Sequence, residues 1–342
     1  MSNMSKRGLI LISALLIFVL LSFVALYFGY FLISPAGFDK KEEIFIVEKG
    51  SGLRTVAAEL ERRRLIKGKN LFMLWVFLKG STGDIKAGEY SLNQSMPPVR
   101  IFHILTSGAV RTYPLTIPEG LTAEQIADIL AKKNLVNKME FISLVREKTL
   151  AASYRIDGPS VEGYLFPDTY LISKDMGARE LIDLMVNRFW DVLNDLIRGQ
   201  KTSMPVLEIV TLASIVEKET GLAEERPVIA SVFLNRLKKR MRLESDPTVI
   251  YGLKGFDGNL KRKDLHVRSP YNTYVNFGLP PGPIANPGRD SLMAVISPAK
   301  TDYLYFVSRN DGSHHFSATL KEHNRAVVRY QKRRRSISGR KK

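Results

Sequence analysis

The chain has no cysteine among its 342 residues, which excludes disulfides, zinc-thiolate sites and thiol nucleophiles and leaves the redox compartment open. Histidine is scarce. The five, His103, His266, His314, His315 and His323, show no paired helical spacing of the zinc-hydrolase kind, so neither a metal nor another cofactor is expected. Acidic residues are outnumbered, 34 against 51 Lys and Arg, giving a formal net charge of +17. Seven of the positive charges lie in a tail from Lys332 to Lys342 that holds no acidic residue and reads as a disordered, solvated segment.

Against these shortages stands one long apolar run. Gly8 to Ile33 carries no charge and exceeds the ~20 residues needed to span a bilayer. A cleaved signal peptide has an apolar core of about 7–15 residues and a small-residue cleavage site, of which Ser34-Pro35-Ala36-Gly37 is a poor example, so an uncleaved transmembrane helix over 8–33 is expected. Lys6 and Arg7 keep residues 1–7 in the cytoplasm and place the rest outside, which predicts a single-pass membrane protein with its globular part extracytoplasmic. Topology changes the meaning of the charge. An exported basic domain meets anionic lipid and cell-wall polymer, and no nucleic-acid partner is expected.

The length suits about two domains, and 45% apolar with 9% aromatic residues is ordinary for globular protein. After a linker over 34–42, strand and helix signals alternate through 43–155, a turn cluster at Asp157-Gly158-Pro159-Ser160 suggests a boundary, and a second domain is expected over 156–330, before the basic tail 331–342. The fold class is α+β. The first stretch carries a weak internal repeat: shifted by 70 residues, Gly50, Val56, Ala57, Leu60, Leu65 and Ile66 correspond to Gly120, Ile126, Ala127, Leu130, Leu135 and Val136. Thr122 and Gln125 have capping-box spacing.

The candidate for chemistry is Glu217. Pro205 suits a helix start, and Leu207, Ile209, Val210, Leu212, Ala213, Ile215 and Val216 are apolar nearly all round, so a buried helix delivers this carboxylate in its last turn, with Gly221 as the stop. The negative end of the helix dipole and partial burial both favour the protonated acid, the form able to donate to a leaving-group oxygen. Glu219, two positions on, points to a different side of the helix. Asp246 before a proline suits a turn, and the runs Ser269 to Tyr274 and Gly278 to Gly288 have the composition of loops that wall a groove.

Five ordered motifs together resemble the endolytic murein transglycosylase family, also called YceG-like. They are Glu162-Gly163 with Phe166-Pro167-Asp168-Thr169, Ala213 to Glu219, Asp246-Pro247-Thr248-Val249, Tyr271-Asn272-Thr273-Tyr274 and Gly278 to Ile284. The resemblance implies a small LysM-like module in the N-terminal half, then a catalytic domain whose essential acid aligns with Glu217. It also implies Glu162, Asp168, Glu219, Asp246, Thr248, Tyr271, Asn272 and Tyr274 as substrate-binding candidates, peptidoglycan glycan strands as substrate, peptidoglycan synthases of elongation or division as further partners, and the bacterial inner (cytoplasmic) membrane as the location. The implied reaction cleaves the MurNAc-β-1,4-GlcNAc bond of nascent strands without water, leaves 1,6-anhydro-MurNAc ends and so terminates strand elongation. Glu244 departs from the glutamine expected there. Two other readings stay open: a muramidase-type hydrolase using Asp246 or Glu162 as a second carboxylate, and a non-catalytic cell-wall-binding scaffold.

Overall fold

The computed structural model describes residues 6–200, 202–253 and 255–332. Most of the expected cytoplasmic segment 1–7 and of the basic tail 331–342 lies outside them. The chain divides into two compact units, 1–114 with 171–175, and 115–170 with 176–342.

The first unit begins with α1 (Lys6–Ile33), apolar on every side and long enough to cross a membrane. Strands β1 (Glu43–Val47) and β2 (Gly88–Leu92) pair antiparallel, Glu43 opposite Leu92 and Val47 opposite Gly88. Between them lie α2 (Leu53–Arg62) and α3 (Lys69–Leu78), and α4 (Pro98–Ser107) follows. Alternation sends Phe45 and Val47 inward, onto Val56, Ala57, Leu60, Phe72, Val76, Tyr90, Ile101 and Leu105. The last turns of α1 belong to this core: Phe31 is buried in it, and Phe28 and Leu32 pack on it. Residues 34–42, expected as a linker, are tied to the first unit, because Gly37 N–H donates to Gln94 O (2.9 Å) and Ser95 N–H to Asp39 O (3.2 Å).

The chain enters the second unit along β3 (Tyr113–Thr116), which pairs with β4 (Thr169–Ile172). Helices α5 (Ala123–Lys132), α6 (Lys138–Val145) and α7 (Lys148–Ser153) follow β3. The division therefore falls at 114/115 and not near 156, and the two copies of the repeat sit in different units. The repeat extends to the backbone. Each copy runs strand, turn, helix, helix; Gly50 and Gly120 both have positive φ (86° and 71°), and so do Arg64 and Asn134 (56° and 55°), where each first helix ends. The capping box forms as expected, with Gln125 N–H on Thr122 Oγ1 and Thr122 N–H on Gln125 Oε1.

Beyond β4 come α8 (Ala178–Ile197), α9 (Val206–Glu219), α10 (Arg226–Lys238), α11 (Asp246–Gly252) and α12 (Arg289–Ile296). A hairpin of β5 (Tyr305–Ser308) and β6 (His314–Ser317) and helix α13 (Leu320–Val327) complete the unit. Buried from Ile209 to Val216, α9 runs through the core and packs on α10 and α12. It stops at Glu219 because Thr220 turns to extended backbone, one residue before the expected Gly221. Asp246 is the first residue of α11 and not part of a free turn. Helices joined by three two-stranded ribbons make this an α+β protein.

Candidate active site

Four segments of the second unit meet at the end of α9. Glu217 Oε2 accepts the backbone N–H of Gly288 (3.0 Å), and Oε1 accepts Nη2 of Arg226 (3.3 Å) from the start of α10. Both side chains are buried, Glu217 6% and Arg226 10% exposed, so the pair is held in a setting of reduced screening. Arg226 also faces Asp290 (Nη1 to Oδ2, 3.3 Å) and Glu119 (Nη2 to Oε2, 3.7 Å). One cation thus gathers three carboxylates. Glu119 and Glu217 lie no more than 7.0 Å apart, the sum of their 3.7 and 3.3 Å contacts to the same nitrogen. Burial first, then the charges of Glu217 and Asp290, push the Glu119 carboxyl above its ordinary range, with Arg226 opposing.

Two glycines allow this approach. A Cβ on Gly288 would stand 2.0 Å from Glu119 Oε1, and one on Gly120 would stand 3.3 Å from Glu217 Cγ at a φ that L side chains rarely adopt. Lys218 Nζ donates to Gly120 O (3.1 Å) and fixes the turn from the other side.

Glu219 faces elsewhere, as its two-residue offset requires. It accepts the Ser245 hydroxyl (2.5 Å), and burial followed by the nearby Asp246 pushes it up to about 7. Tyr274 O–H donates to Asp246 (2.7 Å). Glu219, Asp246 and Tyr274 therefore form one polar cluster under Ser245.

Glu162 is buried, 6% exposed. It accepts Ala123 N–H (2.9 Å) at the start of α5, Asn286 Nδ2 (3.0 Å) and Tyr251 O–H (3.3 Å), and burial pushes it up to about 7 against these bonds. It borders a cavity of about 860 Å³ with Arg146, Phe256 and the ring pair Tyr251 and Tyr271, whose centroids are 4.8 Å apart. Asn286 links the two places. Its backbone C=O accepts Gly120 N–H (2.9 Å) and its side chain holds Glu162, Leu121 O and Leu165 N–H.

Asp168 pairs with Arg188 (2.7 Å). Thr248 is buried, donating to Ser245 O (2.6 Å), and Asn272 holds the carbonyls of Leu265 and Val267. Of the two proposed second carboxylates, Asp246 and Glu162, neither bonds to the Glu217 cluster; Glu119 and Asp290 are the carboxylates that share its arginine. Sequence reasoning missed Glu119, Arg226 and Asp290, and had Gly288 only as the end of a loop expected to wall a groove. The available signals were the turn Pro118-Glu119-Gly120, a reflection of Gly50 in the repeat, and Asn286-Pro287-Gly288 at the end of the groove-wall run.

A sequence model of the YceG-like family matches residues 45–329. The chain belongs to the YceG-like family. It is 36% identical over 326 residues, 90% of each chain, to a Bacillus subtilis (strain 168) protein named endolytic murein transglycosylase. A Streptococcus pneumoniae (serotype 2, strain D39) protein of the same name is 30% identical over 92% of this chain, which spans 64% of that longer relative. A crystal structure of a yceG-like protein from Listeria monocytogenes covers 84% of this chain and all of its own, with 36% identity and a TM-score of 0.56. The fold is therefore one already seen in this family.

Proposed function

We propose that this YceG-like protein is a membrane-anchored endolytic peptidoglycan transglycosylase with Glu217 as general acid and then base. The observation that carries the reading is the buried Glu217 carboxylate in the last turn of α9, held by Arg226 and the Gly288 N–H, in a chain 36% identical to a protein of that name. Both Glu217 oxygens act as acceptors in the free protein. Substrate binding would displace one of these bonds and let Glu217 take up a proton from solvent, which it then hands to the glycosidic oxygen as the C1–O bond breaks. Positive charge then develops at C1 beside Glu119 and Asp290, which stabilise it electrostatically. The new Glu217 carboxylate takes the proton of the sugar's own 6-hydroxyl as that oxygen bonds to C1. The acid is regenerated, no water is consumed, and a 1,6-anhydro end remains.

Glu219, Asp246 and Tyr274 in one direction, and Glu162 with Tyr271 in another, would contact neighbouring sugars, with Asp168, Thr248 and Asn272 holding the loops. The compact module of the first unit supports the LysM-like reading. Burial of Phe31 in its core supports an uncleaved anchor, since cleavage after α1 would strip a core residue. An anchored enzyme acts where new strands emerge from the cytoplasmic membrane, alongside synthases, and so ends their elongation.

A hydrolase is the second reading, because Glu119 shares Arg226 with Glu217 and its oxygen lies no more than 7.0 Å away, a bound compatible with the paired carboxylates of glycosidases. Glu217→Gln and Glu119→Gln, assayed on purified glycan strands by product mass spectrometry, test both. Glu217→Gln should bind strands and not cut them. Cutting at near the native rate would remove Glu217 from the chemistry, and abolished cutting in Glu119→Gln together with non-anhydro ends in the native products would favour the hydrolase.

A further inference from the structure

The apolar part of α1, Ile10–Ile33, is 24 residues long and rises about 36 Å at 1.5 Å per residue. The hydrocarbon core of a bilayer is ~30 Å thick. About one helical turn is left over, and the structure shows where it goes: Phe31 and Leu32 in the last turn, with Phe28 below them, are packed into the first unit. Lys67 Nζ donates to Ser34 Oγ (3.0 Å), and Gly68 stands against the Phe31 ring. The globular module is thus joined to the spanning helix without slack and begins at the depth where the membrane ends.

Helix α3 starts at that junction. Its inner face buries Phe72, Trp75 and Val76, while Leu74, Phe77 and Leu78 on the opposite face are 47%, 69% and 66% exposed. Spacings of three and four residues make them one stripe. Nothing in the first unit covers it among the described residues, and water solvates it poorly. At ten residues the helix is about 15 Å long, so the stripe lies within that reach of the end of α1. Lys67 and Lys79, both exposed, flank the two ends of α3, and Tyr27 and Tyr30 are exposed on α1 just below, where interfacial aromatics belong.

We propose that α3 is a second membrane contact, lying in the interface of the outer leaflet with Leu74, Phe77 and Leu78 in the acyl boundary and Lys67 and Lys79 among anionic headgroups. The inference rests on the reading of α1 as a membrane span. Its consequence is orientation: two contacts, one across the bilayer and one along it, fix the tilt of the first unit where a lone span would let it swing.

Because the chain has no cysteine, a single introduced one can be spin-labelled without ambiguity. The full chain would be labelled at Val19→Cys in α1, Leu78→Cys in α3 or Met139→Cys in α6, placed in nanodiscs of phosphatidylethanolamine and phosphatidylglycerol, and measured for accessibility to oxygen against a nickel chelate. The proposal expects hydrocarbon depth at 19, an interfacial ratio several-fold above that of 139 at position 78, and water at 139. It also expects Leu74→Ser with Phe77→Ser to bring the label at 78 to the value at 139 while 19 stays in hydrocarbon. A label at 78 as aqueous as that at 139, with 19 buried, overturns the interfacial contact and leaves the anchor standing. A label at 78 unmoved by the double substitution overturns the role of the stripe, and an aqueous 19 overturns the span itself and this inference with it.

Discussion

In the first copy of the repeat, Gly50 turns the chain at a φ of 86°, and no described atom lies within 4 Å of where its Cβ would be. In the second copy Gly120 makes the same turn at 71° and stands against Glu217, with Glu119 beside it in the Arg226 cluster and Asn286 bonded to its N–H. Lys49 occupies the position of Glu119 in the first copy, and Gly52 that of Thr122, so the first turn has no acid at that position and no side-chain cap. One local backbone therefore serves two ends. Its geometry comes from the helix and turn signals both copies share, and its chemistry comes from the neighbours that only the second copy meets.

The sharpest break in the comparison is Glu217→Gln, which should lower cleavage by ~10²–10⁴, since the amide keeps the shape and cannot cycle a proton, and should cost some stability, because its NH2 must face either the Gly288 N–H or Arg226. Arg226→Met should follow. Removing the cation leaves Glu217 and Asp290 close together without compensation, so stability should fall by roughly 3–5 kcal/mol in a denaturant titration, and residual activity should drop with it. The repeat itself is tested by a matched pair. Gly50→Ala and Gly120→Ala should each lose roughly 1–2 kcal/mol from the left-handed backbone, but only Gly120→Ala should also lose activity, through its contact with Glu217. Equal activity in the two variants would mean the second turn is structural as well.

The smallest effect concerns pH. Glu162 and Glu219 each sit at about 7 in the folded protein against an ordinary 4.5, so between those values the folded state holds more protons than the unfolded one. Stability should therefore fall as pH rises from about 4.5 to 7, and level off above, by linkage. Glu162→Gln, which can keep the bonds to Ala123 and Tyr251, should flatten that slope in thermal melts taken across the range. An unchanged slope would assign the effect to Glu219 and other groups.

Much of the fold was legible because it is local. The uncharged run over 8–33 marked α1, Pro205 and the apolar positions from Leu207 to Val216 marked α9, and the capping-box spacing of Thr122 and Gln125 marked the start of α5. Glu217 was legible as a charge at the end of an apolar run. Its partners were not, because Glu119 and Gly288 lie about a hundred and seventy residues apart in sequence, and only the packing of α9 against α10 and α12 brings them together. The unit boundary was misplaced for a related reason: α5 to α7 resemble the first module in pattern, yet their contacts, such as Glu162 on Ala123 and Asn286 on Leu121, are with the unit that holds Glu217.

The central claim, that Glu217 runs a cleavage in which the sugar's own hydroxyl replaces water, is tested most directly by digesting purified glycan strands in H₂¹⁸O and weighing the new ends. The account predicts anhydro ends free of ¹⁸O from the native protein and no new ends from Glu217→Gln. Reducing ends carrying ¹⁸O would contradict it and make Glu119 and Glu217 the two carboxylates of a hydrolase.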